Sequence, residues 1–388
     1  MLKKMPFILF LEILVIVLFG HLLSVWAKQT LYGIGMTLLS AMMLLLPMVI
    51  FGLLFNVAVS LAKDATRIIL IIVVGMCLSN YTAVFVSHYV GEVVYGFPLS
   101  LMAPENTHAL TLPAWYQVFP QYFSNRYAMI AGIVLGILGV VAVPQWAEKC
   151  SRQLERITKQ ILRAFTWFIP FFVGGLVLRL QHEGTLGILF HDYSKIVGVV
   201  ICFQLVYVSG MYLIACRFRL QKMVRSLRNM LPAVITGFSA MSSAAAMPFT
   251  IMASEKNVSD PHIARSVIPA TVNAHLLGDC LGIPIFAYAI LKSFGMPEPT
   301  LVAYAVFAFY FMIAKFSAAG VPGGGVVVIL PVLAVYLGFT PEMTSLMFSI
   351  YLLFDSIMTG MNVLANGAFA MMVDRVISYT KVFTARST

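Results

Sequence analysis

Ser317-Ala-Ala-Gly-Val-Pro-Gly-Gly-Gly325 interrupts an apolar segment that runs from about 301 to 337. Four glycines around a proline do not make a lipid-facing helix. Glycine leaves the backbone loose and proline removes a donor. At membrane depth, unpaired backbone survives only where protein or a water-filled cavity supplies partners. The stretch therefore reads as the tip of a hairpin that enters the membrane and turns back. A second broken segment, about 231–254, carries Ser239-Ala-Met-Ser-Ser-Ala-Ala-Ala-Met-Pro-Phe249. Each is followed by a full apolar run, and such a pair of corresponding units points to a transporter's substrate site. The following runs echo each other, with Thr271-Val-Asn273 in one and Thr359-Gly-Met-Asn362 in the other. Gly and Pro also serve ordinary packing in membrane helices. The hairpin reading is preferred because charge counting demands opposite entry sides for the two segments.

Working outward, the whole chain has the composition of a membrane protein. Of 388 residues, 61% are hydrophobic and only 10% are charged. Mean hydropathy is +0.93. A soluble domain carries about 25% charged residues. This composition excludes a soluble enzyme, a nucleic-acid reader and a disordered scaffold. Apolar runs read as helices at about 6–26, 32–62, 66–91, 127–146, 160–181, 194–216, 262–293 and 342–373. Residues 92–125 form the longest connection. The first run is too long for a signal-peptide core, so an uncleaved first span is expected. The tail after Val373 shows no lipidation motif. Five cysteines without a CxxC indicate neither a disulfide framework nor a zinc site.

Charge sets the orientation. If the crossings alternate and both broken segments are re-entrant, nineteen of the 25 basic residues fall on one side. They include Lys3, Lys4, Lys149, Arg152, Arg217, Arg228, Lys256, Arg375 and Lys381. Four (Lys28, Arg126, Lys195 and Lys292) fall on the other. Arg179 and Lys315 lie within apolar runs. The asymmetry predicts cytoplasmic termini. The first hairpin then enters from the cytoplasm and the second from outside.

With these elements in place, the chain resembles the dicarboxylate/amino acid:cation symporter family, which includes the glutamate transporters. The resemblance is carried by the serine tip ending in Met247-Pro248, by Ala270-Thr-Val-Asn273, by Ala319-Gly-Val-Pro-Gly-Gly-Gly325, and by Asp355, Thr359 and Asn362-Val363. It is strongest over 230–375 and matches 1–229 mainly in helix order. It implies an all-α membrane protein with eight transmembrane helices, two re-entrant helical hairpins and inverted repeats. It also implies a homotrimer and an elevator-type mechanism, in which a mobile domain carries substrate across the bilayer. The implied partition gives scaffold helices one and two in 1–65 and transport-domain helix three in 66–92. An external loop occupies 93–126, and scaffold helices four and five occupy 127–182. Helix six and a cytoplasmic linker take 183–229, the first hairpin 230–257 and helix seven 258–295. The second hairpin takes 296–339, and helix eight with the tail takes 340–388.

The resemblance also implies site residues. The substrate α-carboxylate is held by Ser243, Thr359 and Asn362, with Ser242, Val321 and Gly325 lining the tips. Asp355 receives the ammonium. Where acidic-substrate members carry an arginine, this chain has Met358, and a helping threonine is replaced by Leu277. Methionine cannot supply the guanidinium fork. A neutral amino acid is therefore the favoured substrate. The implied cation sites depart further. Their aspartates are replaced by His275 and Asn366, while Thr271 and Asn273 remain as neutral ligands. No strong metal site is left, no organic cofactor is expected, and the coupling ion stands open between Na+ and H+. Lys315 either takes a cation's place or snorkels to the surface. His275 and Asp279, four apart on one helix face, read either as a pair suited to proton handling or as a structural hydrogen bond, with Asp279 near the wet interface as a further reading.

The function these readings support is a secondary active transporter of small amino acids or dicarboxylates, symporter or exchanger. It would be multi-pass in a bacterial-type inner (plasma) membrane. Its partners are a small-molecule substrate, the lipid bilayer and two further copies of the chain, with no nucleic acid. The alternative is an anion-conducting channel or a non-transporting sensor on the same fold. An intramembrane enzyme is disfavoured, because neither HExxH nor GxSxG occurs.

Overall fold

The computed structural model describes residues 5–63, 67–99, 110–116, 119, 125–184, 186–318 and 323–386. Among them every regular element is helical. The first half comprises α1 (Met5–Phe19), a 3-10 turn at Gly20–Leu22, α2 (Val25–Lys63), α3 (Arg67–Tyr95), α4 (Asn125–Ala142), α5 (Pro144–His182) and α6 (Leu186–Ala215). The second half comprises α7 (Leu220–Ala240), α8 (Ser243–Glu255), α9 (Pro261–Thr271), α10 (Leu277–Ser293), α11 (Leu301–Lys315), α12 (Gly324–Val327), α13 (Leu330–Leu337) and α14 (Pro341–Arg386). Among the described residues, three helices are long and apolar enough to cross a membrane, at Leu70–Tyr95, Tyr193–Ala215 and Pro341–Ser378.

Both broken segments fold as successive helices, two in the first and three in the second. α7 and α8 meet at Met241, which takes a left-handed conformation at φ 48°. Ser242 then caps α8, its hydroxyl accepting from the Ala245 amide at 3.2 Å. α11 is capped by Thr300 and runs to Lys315. The chain resumes at Gly323 (φ 73°), where the left-handed turn into α12 favours glycine. Gly338 closes α13 in the same conformation.

Several boundaries differ from the sequence reading. α7 starts at Leu220, not near 231. Ser226, Met230, Ala233 and Gly237 form its buried stripe at helical spacing, so basic residues on its other face do not stop the helix. α5 likewise starts at Pro144, at the N1 position that proline favours. α14 continues to Arg386. The largest correction is in the seventh apolar run. It is not one helix over 262–293 but two, with Val272–Leu276 between them.

Two groups of helices pack together. α2 lies chiefly against α5 and α4. Gly132 faces the backbone of Phe51 and Phe55, and Gly175 faces that of Leu31 and Tyr32, so added side chains would push these helices apart. The other group centres on α10, which is buried on nearly every side and packs on α3, α14 and α6. A helix apolar all round belongs in an interior. α7, α8 and α9 pack on α14, and α11 packs on α3 and α13. The described part of the long connection lies across the first group. The Phe119 amide donates to Ser40 Oγ at 2.7 Å, and Gln29 Nε2 donates to Thr111 at 2.9 Å.

Candidate substrate and cation site

α14 supplies the spine of the site. Tyr351, Asp355, Thr359, Asn362 and Asn366 follow each other at spacings of three or four, so they share one face. All five are buried. Both broken segments reach this face. From the second, the Gly323 amide donates to Asp355 Oδ2 at 2.8 Å. From the first, Gly237 lies against Val363 and the Thr359 carbonyl. Thr359 Oγ1 donates to Asp355 Oδ1 at 3.1 Å, so both oxygens of Asp355 are held by neutral donors. Ser243 is buried at the start of α8, while the Ser242 hydroxyl is engaged as the helix cap. Val321 lies outside the described residues.

A second cluster sits beside it. Lys315 is fully buried, which resolves its two readings against snorkelling. Its Nζ donates to Asp279 Oδ2 at 2.8 Å and to the Gly325 carbonyl at 2.8 Å. It also lies 5.2 Å from the centre of the Phe311 ring. The other oxygen of Asp279 accepts from Tyr351 Oη and from Asn362 Nδ2, each at 3.1 Å. Asn362 Oδ1 accepts from the Gly278 amide at 2.7 Å, which satisfies a donor at the start of α10. Among the described residues, the other amide N–H of Asn362 has no partner. A side chain at 325 would run into Asp279 Oδ2 and Tyr351 Oη. Gly325→Ala is therefore expected to separate Lys315 from its two oxygens. Thermal unfolding of the purified variant should show a loss of several degrees; an unchanged transition would mean that the tip yields freely.

A third cluster forms around the break at Val272–Leu276. His275 is buried, with Nε2 on Ser79 Oγ at 2.9 Å and Nδ1 on Asn366 Oδ1 at 2.9 Å. Asn80 Nδ2 donates to the Ala274 carbonyl at 2.8 Å, while Asn80 Oδ1 is buried without a partner among the described residues. α3 thus brings Ser79 and Asn80 to the polar backbone that the break exposes.

These contacts bear on several site expectations. His275 and Asp279 do not form a pair: the break separates them, His275 meets two groups that do not titrate, and Asp279 meets Lys315. Asn273 is exposed, outside the buried cluster. The Thr271 hydroxyl donates back to the Val267 and Ile268 carbonyls within its own helix. Met358 is buried, but its sulfur accepts from Gln204 Nε2 at 2.9 Å and it packs where Gly282 leaves room. Its side chain thus fills the contact between α14, α10 and α6. Leu277 is also buried, in the first turn of α10.

Two members were missed by the sequence reading. Tyr351 lies four residues before Asp355, so the helical spacing already marked it. Gln204 is a lone amide in an apolar span, the kind of polar residue that seeks a partner inside a bundle.

Comparison with known proteins agrees with this architecture. The profile described as the sodium:dicarboxylate symporter family matches residues 5–376. Excitatory amino acid transporter 1 of Rattus norvegicus is 23% identical over 261 residues, covering 64% of this chain and 46% of its own. The Homo sapiens protein of that name gives the same values. The Caenorhabditis elegans protein glt-4, named for sodium-dependent excitatory amino acid transport, is 22% identical over 263 residues, or 64% of this chain and 50% of its own. The chain thus spans about half the length of the curated relatives it matches.

Proposed function

We propose a transport function on one premise: the chain belongs to the sodium:dicarboxylate symporter family. The proposed activity is secondary transport of a neutral amino acid across the membrane that holds the protein. The named relatives carry excitatory amino acids in their titles, and the class of solute is carried over from them. The choice of a neutral one comes from this chain's charges.

The observation that carries it is the lack of a cation for a second carboxylate. Between Arg265 and Arg375 the sequence has no arginine, and its lysines there are Lys292 and Lys315. Lys292 lies over the Tyr95 ring, 4.9 Å from its centre, at the end of α10. Lys315 is held by Asp279 and Gly325. A buried carboxylate without a cation or several donors is costly. The single α-carboxylate of a neutral amino acid needs less, and we assign it to Ser243, the remaining N–H of Asn362 and the Thr359 hydroxyl. The ammonium goes to Asp355. Asp355 accepts from the Thr359 hydroxyl and the Gly323 amide, one on each oxygen, and each oxygen keeps a second acceptor site for the ammonium.

We further propose the elevator arrangement implied by the family. α1, α2, α4 and α5 are the scaffold, and α3 with α6–α14 is the moving part; the dense packing of α2 on α4 and α5 supports that division. Cytoplasmic termini, eight crossings and a homotrimer belong to the same proposal.

Counterflow tests the substrate assignment. Proteoliposomes loaded with an unlabelled neutral amino acid should accumulate the labelled form, while labelled aspartate should accumulate at least about tenfold less, the effect of roughly 1.4 kcal/mol of discrimination. Aspartate counterflow equal to that of the neutral amino acids would overturn the assignment. Current without counterflow would make the protein a channel, and binding without flux a sensor.

A further inference from the structure

Lys315 has all three ammonium donors placed. Two point to oxygens at 2.8 Å, the Asp279 carboxylate and the Gly325 carbonyl, and the third side faces the Phe311 ring. Around it the protein has gathered what a small cation needs: a carboxylate, a main-chain carbonyl and exclusion of water. Gly325 has no side chain where one would block that approach. Asp279 is further fixed by Tyr351 and Asn362, so the carboxylate has one orientation. A buried carboxylate needs a counter-charge or several donors. Here the counter-charge comes from the chain, at the end of the first arm of the second hairpin.

We infer that Lys315 is a resident cation: its ammonium, tethered to the hairpin, fills a position between the second tip and α10 that would otherwise have to be filled by a metal ion from solution. It neutralises Asp279 permanently. It also ties the two arms of the hairpin to each other, through Gly325, and to α10. Closure of this tip therefore needs no external cation at Asp279. The inference rests on the transport reading only for its consequence in flux; the site follows from the contacts.

The test is thermal unfolding of the purified protein in sodium chloride against choline chloride at equal ionic strength, without substrate. The wild type should show no sodium-specific shift. Lys315→Ala and the better-filling Lys315→Met leave Asp279 without its counter-charge. They should melt lower in choline and regain about 5 °C in sodium, the size expected for an ion present well above its dissociation constant. Asp279→Asn/Lys315→Met removes both charges and should show no sodium-specific shift. A sodium-specific shift in the wild type that disappears in this double variant would overturn the inference. So would folded single variants that ignore sodium. If both single variants fail to fold, the wild type and the double variant still decide. Counterflow is measured separately, in sodium-free buffer. Its failure with every amino acid would remove the transport reading and leave the cation result standing.

Discussion

Asp355→Asn is expected to lower affinity for an amino acid by at least about 100-fold, because it removes the carboxylate that receives a buried ammonium, a loss of about 3–5 kcal/mol. The variant should fold. Asparagine still offers one oxygen to the Gly323 amide or the Thr359 hydroxyl, and the change takes away a charge that is held here by neutral donors only. That contrast makes the prediction sharp: binding falls while stability holds or rises. Ligand-induced thermal stabilisation reads both in one experiment, through the melting point alone and its rise with amino acid. Equal stabilisation of variant and wild type by a neutral amino acid would move the ammonium site elsewhere.

Asp279→Ala should do the opposite and damage the protein itself. It strands the Lys315 ammonium without its carboxylate, a cost of about 3–5 kcal/mol. That is a large part of the roughly 5–15 kcal/mol that holds an ordinary domain together. Tyr351 and Asn362 lose an acceptor at the same time. Size-exclusion profiles of the detergent-solubilised variant should show little folded material, and what survives should melt well below wild type. Removing Lys315 as well should recover much of the loss, since deleting a whole buried pair is often neutral. A single variant as stable as wild type would show that water reaches the pair.

Much of the architecture was legible before any coordinates. The break between α11 and α12 was legible in four glycines and a proline within nine residues, a composition that does not continue a lipid-facing helix. Asp355 and Thr359 were legible as one face through helical spacing, and the resemblance added Asn362. What failed was the inference drawn from spacing across a break. His275 and Asp279 are four residues apart, but the rule holds only inside a helix, and Val272–Leu276 is not helical. The run's hydropathy gave no sign of that break. Lys315 stayed open between two readings for another reason: its partners, 36 and 10 residues away, are joined by the tertiary fold, which no local pattern encodes. Met358 shows a third limit. Its position in the sequence sits among site residues, while its side chain packs toward Gly282 and Gln204.

The continuous course of α14 has a consequence for how the clusters communicate. From Tyr351 to Asn366 the helix rises roughly 22 Å at 1.5 Å per residue. Along that distance it carries Asp355 itself and contacts to the Lys315 pair and to His275. One unbroken helix works as a ruler, fixing the separations between these stations. Any signal that passes among them must therefore be carried by the parts that can shift against the ruler: the two tips and the short unwound stretch before α10.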